Sequence, residues 1–369
     1  MAALTLSFIT FAAYLFYRSR IKKINTDVLI IGAGLCGSLL ALRLGQRGYN
    51  VTVMEMRPDL RKVNISAGRS INLAFSDRGN KAIKLVGMED KVKPLCIPMN
   101  GRMLHDKDGQ TFLSNYSGRS HEYINSISRG ELNALLLTEA EKHENVTIHF
   151  NKRCKSVDFE KTTAHFQDYE TKDEFIEDAD CIIATDGAGS ALRKSYYLER
   201  KFLFSFSQEY LTHGYKELSI LPTETGDYKT YKNALHIWPR GDFMVIALPN
   251  LDGSFTVTLF LSYDEGDYNF NNLTTIEKVT EFFETQFPDA LKLIQNISLI
   301  NPKNKRKDSN DKLQITLNDK QKSIIENFFM ENYSRMNFFM FISSYYLFSN
   351  LQLRKYLEII YWSSFSGNE

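Results

Sequence analysis

Asp27-Val-Leu-Ile-Ile-Gly-Ala-Gly-Leu-Cys-Gly-Ser-Leu-Leu-Ala-Leu42 decides how the rest of the chain is read. Val28 to Ile31 is an unbroken apolar run, the pattern of a parallel strand covered on both faces. Gly32, Gly34 and Gly37 then spell G-x-G-x-x-G, and Leu39, Leu40, Leu42 and Leu44 continue as a helix that Gly48 can cap. The first glycine allows a tight turn. The second lets a pyrophosphate approach the backbone, and the third lets the helix pack closely on the strand. N–H groups at the helix start then hold the phosphate charge.

Asn50-Val-Thr-Val-Met-Glu55 follows, a second strand ending in an acid. That acid lies about twenty residues beyond the glycines, where it can accept hydrogen bonds from a ribose. Strand, glycine loop, helix, second strand and acid in this order predict an α/β dinucleotide-binding unit. The competing reading is a glycine-rich turn used only for packing. The motif by itself does not separate FAD from NAD.

At 369 residues the chain can hold one large or two ordinary domains. A net charge of +1 gives no global electrostatic case for nucleic acid. Cys36, Cys96, Cys154 and Cys181 show neither a C-x-x-C pair nor metal-ligand spacing, so they read as reduced thiols, and no metal is expected. Cys36 reads as a small packing residue of the glycine loop.

Ala2 to Tyr17 is almost wholly apolar and is followed by Arg18, Arg20, Lys22 and Lys23. This suits an uncleaved membrane anchor with the folded domain left in the cytosol, a buried or interfacial helix being the alternative. Arg69 in Gly68-Arg-Ser-Ile-Asn-Leu-Ala-Phe-Ser76 reads by composition as a solvated arginine, and a helix is expected from Arg78 to Val86. Gly101 to Tyr116 reads as a hairpin-bearing insertion, Ser128 as the cap of the next helix, and Val146 to Phe150 as a buried strand. Asp178-Ala-Asp-Cys-Ile-Ile-Ala-Thr-Asp186-Gly-Ala-Gly-Ser190 repeats the strand–acid–glycine pattern. Strand-like pieces from Thr212 to Phe260 predict an antiparallel sheet, on which His236 and Trp238 suit either a core place or a site. A helix from Thr275 to Phe287 is expected to close at Pro288. Residues 301–369 form a charged stretch and then an aromatic tail that could lie on a membrane or pack on the domain.

Taken together, the three glycines, Glu55-Met-Arg57, the Gly68 string, Arg102 with Tyr116, Ser128-Arg129 and Asp186-Gly-Ala-Gly-Ser190 resemble the kynurenine 3-monooxygenase family. So do Leu235-His-Ile-Trp-Pro-Arg240 and Phe287-Pro-Asp-Ala290. This family belongs to the single-component aromatic hydroxylases that use FAD. The resemblance implies a Rossmann-like FAD-binding domain with an antiparallel β-sheet substrate domain. It also implies hydroxylation of L-kynurenine to 3-hydroxykynurenine with NADPH and O2. Carried over residue by residue, it assigns FAD contacts to Cys36, Gly37, Met54, Glu55, Met56 and Arg57, beside Gly32 and Gly34 of the loop. Ala74, Arg129, Cys154 (through its backbone) and Asp186 would be further flavin contacts. Arg102 and Tyr116 match the positions that hold the substrate carboxylate, and a guanidinium suits that task because it can grip a carboxylate bidentately. For a eukaryotic chain, the resemblance places the anchored protein on the mitochondrial outer membrane.

The resemblance runs from about Thr26 to Ile300. The family's second flavin motif, Gly-Asp-Ala-Ala-His, has no counterpart, since the Gly-Asp pairs at Gly226, Gly241 and Gly266 all continue differently. The expected organisation is an anchor over 1–24, an FAD-binding and interleaved substrate region over 25–300, and a divergent tail over 301–369. The alternative expectation is a flavin-binding homologue without turnover.

Overall fold

The computed structural model describes residues 24–63, 72–119, 121–208 and 211–294. The anchor expected at 1–24 (all but its last residue), Arg69 and the tail lie outside them. Among the described residues, no helix is long and apolar enough to cross a membrane. The chain divides into two compact units, passing between them at 63/64, 132/133 and 206/207.

The first unit is built on a four-stranded parallel sheet in the order Cys181–Ala184, Ile24–Ile31, Tyr49–Met54, Val146–His149. Val28, Leu29, Ile30 and Ile31 are all buried, as a strand covered on both faces requires. The helix Leu35–Gln46 follows the central strand, and Gly48 ends it at φ +87°, a left-handed conformation that glycine adopts without strain. Lys152–Asp158, Thr163–Asp168 and Glu174–Asp178 form an antiparallel sheet absent from the sequence reading. Its inward residues Cys154, Val157, Ala164 and Phe166 share one core with Leu29, Ile31 and Met54.

The second unit carries a six-stranded sheet in the order His213–Ile220, Phe255–Ser262, Phe243–Pro249, Ala234–Arg240, Gly101–His105, Thr111–Asn115. The expected antiparallel pieces are all present, and the Gly101–Asn115 hairpin joins them through one parallel pairing, Leu235 opposite Arg102. Trp238, Phe255 and Leu259 pack against Phe282, Phe283 and Phe287. The helix Ile276–Gln286 closes just before Pro288 as expected, and Pro288 itself opens a further helix, Pro288–Leu293, where its missing N–H costs nothing. A small sheet of Leu73–Phe75, Ile124–Ile127 and Cys96–Met99 completes this unit.

Candidate functional site

The glycines of the first unit fall into two kinds. Gly32 sits at φ +98°, and a Cβ there would lie 2.8 Å from the Thr185 carbonyl oxygen. A Cβ on Gly37 would lie 1.9 Å from the Gly32 carbonyl oxygen, so both positions are closed by backbone. A Cβ on Gly34 would meet nothing within 4 Å. Gly34 therefore leaves open space at the start of the helix Leu35–Gln46, whose first turn, containing Cys36 and Gly37, carries no acidic side chain. An anion approaching there meets no acidic side chain of the helix's own first turn.

Glu55 follows the second strand and is buried. Its Oε2 accepts the Ala33 N–H at 2.7 Å, and its Oε1 accepts the Arg57 N–H at 2.9 Å and Arg57 Nε at 2.7 Å. Burial pushes the Glu55 carboxyl up. The Arg57 hydrogen bond and charge, with the two N–H donors, outweigh that push and hold it below the usual glutamate range. A carboxylate has about four lone-pair sites, so Oε2 keeps one beyond the Ala33 N–H. Met54 is buried beneath the loop strand, whereas Met56 and Arg57 are exposed on the turn that follows.

Asp186 closes the strand beside the loop, and its Oδ2 accepts the Ala191 N–H at 2.7 Å, at the start of the helix Ala191–Leu198. Cys154 lies in the same core. Burial, with the Asp186 charge, pushes its thiol up to about 12, so it is a protonated packing residue, and its strand position pairs with Phe166. Thr185 and Asn133 also touch the loop, through the carbonyls of Gly32 and Ala33. No local pattern announces either residue, because each acts on a loop 100 or more positions away.

Ala74 and Arg129 belong to the second unit. Ala74 pairs with Ser126 in the small sheet, and Arg129 opens the helix Arg129–Ala140, where the Ser128 hydroxyl accepts the Glu131 N–H at 3.3 Å as expected of its cap. Arg102 and Tyr116 meet on the hairpin, with the guanidinium carbon 5.4 Å from the ring centroid. The Tyr116 hydroxyl is buried and has no hydrogen-bond partner among the described residues. Burial pushes its pKa up, and the charge and hydrogen-bonding groups of Arg102 pull it part of the way back. A guanidinium beside a tyrosine hydroxyl is a pairing of the kind that can bind a carboxylate. His236 and Trp238 are wholly buried, which places both in the core.

The FAD binding domain family matches residues 25–210. The chain belongs to that family. Among curated proteins, it is 47% identical over 275 residues to a kynurenine 3-monooxygenase of Dictyostelium discoideum, covering 74% of this chain and 58% of the relative. It is 43% identical over 290 residues to that of Anopheles gambiae, with 76% and 58% covered. The chain thus spans about three fifths of the length of the curated relatives it matches. Among solved structures, a flavoprotein/dehydrogenase from Cytophaga hutchinsonii aligns with a TM-score of 0.57 at 18% identity, over 73% of this chain and 64% of the other. A 2-methyl-3-hydroxypyridine-5-carboxylic acid oxygenase aligns at 0.56 and 16% identity, over 75% and 68%. These two likenesses are of fold. The open cradle at Gly34, the acid-free helix start and the spare lone pair of Glu55 fit the family's cofactor.

Proposed function

We propose that this chain is an FAD-dependent monooxygenase that hydroxylates L-kynurenine to 3-hydroxy-L-kynurenine with NADPH and O2. The observation that carries the reading is the Arg102–Tyr116 pair, present on the hairpin of a chain this similar to kynurenine 3-monooxygenases. FAD would lie along Gly32, Gly34, Cys36 and Gly37, with Glu55 on the ribose and Met54, Met56, Arg57, Ala74, Arg129, Cys154 and Asp186 as further contacts. When bound, it supplies the redox chemistry between NADPH and O2. The protein's own work is to bind and orient. Arg102 takes the amino-acid carboxylate of the substrate, and the Tyr116 hydroxyl donates to it, which fixes where the aminoaryl ring points.

Arg102→Ala should weaken L-kynurenine binding roughly 10- to 100-fold, the loss of charge-assisted hydrogen bonds, and leave FAD content unchanged. Binding would be followed by flavin fluorescence. Simultaneous loss of flavin would assign Arg102 a structural role. The reaction itself is tested by incubating the flavin-loaded chain with NADPH, O2 and L-kynurenine. Flavin uptake with neither NADPH oxidation nor 3-hydroxykynurenine would sink the hydroxylase reading in favour of a flavin-binding homologue without turnover.

The membrane reading belongs to this proposal too, with the catalytic region facing the cytosol and, in a eukaryote, the mitochondrial outer membrane as the site. It rests on the apolar run Ala2 to Tyr17 and the basic residues after it. Deleting residues 2–17 should move the protein from the membrane pellet to the supernatant, and a variant that stays in the pellet would refute the anchor.

A further inference from the structure

A glycine-rich loop can turn its peptides over easily, because glycine tolerates both signs of φ. A carbonyl turned toward an incoming phosphate would repel it, so a good anion loop needs its carbonyls held elsewhere. In this chain two successive peptides are gripped from the protein side. The Gly32 carbonyl accepts the Thr185 hydroxyl at 2.6 Å. On the opposite edge of that same peptide, the Ala33 N–H donates to Glu55 Oε2 at 2.7 Å. The next carbonyl, that of Ala33, accepts Asn133 Nδ2 at 3.1 Å. Asn133 is oriented in turn by the Ser38 hydroxyl, 3.0 Å from its Oδ1. Ser38, Glu55 and Asn133 are all buried, so turning either peptide over would strand buried polar groups.

We propose that Thr185 and Asn133 are positioning residues of the cofactor loop. They hold the Gly32 and Ala33 carbonyls on protein donors before the dinucleotide arrives, and the loop binds without reorganising. The FAD part of this inference rests on the function proposed above, whereas the clamp on the loop does not.

The test uses the full chain freed of flavin. Thr185→Val keeps the shape and removes the hydroxyl. It should speed hydrogen exchange of the Ala33 amide about tenfold and weaken FAD binding, read by fluorescence titration, about tenfold, the scale of one hydrogen bond. Thr185→Ser should restore both, which a packing role of the methyl group would not. Asn133→Ser, on the helix Arg129–Ala140, should reproduce the pair of changes. Unaltered Ala33 exchange in Thr185→Val, or failure of serine to rescue, overturns the clamp. A wild-type chain that takes up no FAD overturns the FAD reading instead, and the exchange comparison, which needs no ligand, still decides the clamp.

Discussion

Gly37→Ala should yield a chain that has lost its flavin and several degrees of thermal stability, while Gly34→Ala should fold normally and bind FAD weakly. The two glycines lie three residues apart in one motif, yet the structure gives them opposite surroundings. A methyl group at Gly37 would sit 1.9 Å from the Gly32 carbonyl oxygen and 2.6 Å from the Thr185 hydroxyl. The first of these is backbone, so relief requires the helix Leu35–Gln46 to lift off the strand Ile24–Ile31. Overpacking of this kind costs about 3 kcal/mol or more, and the displaced helix start no longer faces the phosphate. At Gly34 the backbone is at φ −68°, which alanine adopts freely, and its methyl group would enter open space. The proposed FAD site puts the pyrophosphate in that space, so the loss is expected to fall on the ligand alone. Melting temperature and flavin-to-protein absorbance ratio separate the two. A Gly37→Ala chain with full flavin content would refute the packing argument, and a Gly34→Ala chain with wild-type FAD affinity would refute the placement of the ligand.

The loop was legible in the sequence because its constraints are local. An apolar run, three glycines and a helix-period pattern sit within 16 residues, each with a single physical cause. The hairpin at Gly101 to Asn115 and the antiparallel strands after Thr212 were legible for the same reason, since strand and turn signals alternate along the chain. The sheet of Lys152–Asp158, Thr163–Asp168 and Glu174–Asp178 was not. Its strands carry charged outer faces, only a few residues such as Cys154 and Phe166 point inward, and its ladder is broken by an irregularity between His165 and Phe166. Thr185 and Asn133 were illegible because a hydrogen bond across 100 or more residues leaves no period. Pro288 marked the end of the helix Ile276–Gln286 correctly, but not the helix Pro288–Leu293 that it opens, because a proline signal stops one helix and suits the first position of the next equally well.

The buried polar groups of the second unit lay beyond sequence reading for the same reason of distance, and they set the remaining large effect. Asp289 Oδ2 accepts the Trp238 indole N–H at 2.8 Å and lies 2.8 Å from His105 Nδ1. His105 Nε2 lies 2.9 Å from His236 Nδ1, and His236 Nε2 lies 2.7 Å from the Tyr231 carbonyl oxygen. The carbonyl can only accept, so His236 donates from Nε2 and, while neutral, accepts at Nδ1 from His105. The His105–Asp289 bond then holds a proton of its own, shared between imidazole and carboxylate. Arg240 closes the same end of the strand by donating to the carbonyls of His105 and Asp106.

Asp289→Ala would leave the indole N–H and one imidazole nitrogen without a partner inside the core. It should cost about 3 kcal/mol at neutral pH, toward the low end for a broken buried pair because the Asp289 side chain is 23% exposed. The pH dependence has a definite sign. Burial pushes the Asp289 carboxyl up, but the His105 and Trp238 hydrogen bonds, the His105 charge and the Ala290 N–H outweigh it, so the folded pKa is lowered. A lowered carboxylate contributes stability that is present above its unfolded value of about 4 and is lost as pH falls through the folded value. The gap between wild type and variant should therefore be full at pH 7 and close in strong acid. His236 acts in both proteins, since burial pushes it down to about 4. The unfolded chain takes up that proton first, so both lose stability as pH falls from about 6.5 toward 4. Urea unfolding of the two proteins across this range reads both effects. Equal stability at pH 7, or a gap that widens in acid, would show that the carboxylate is not the group holding His105 and Trp238 in place.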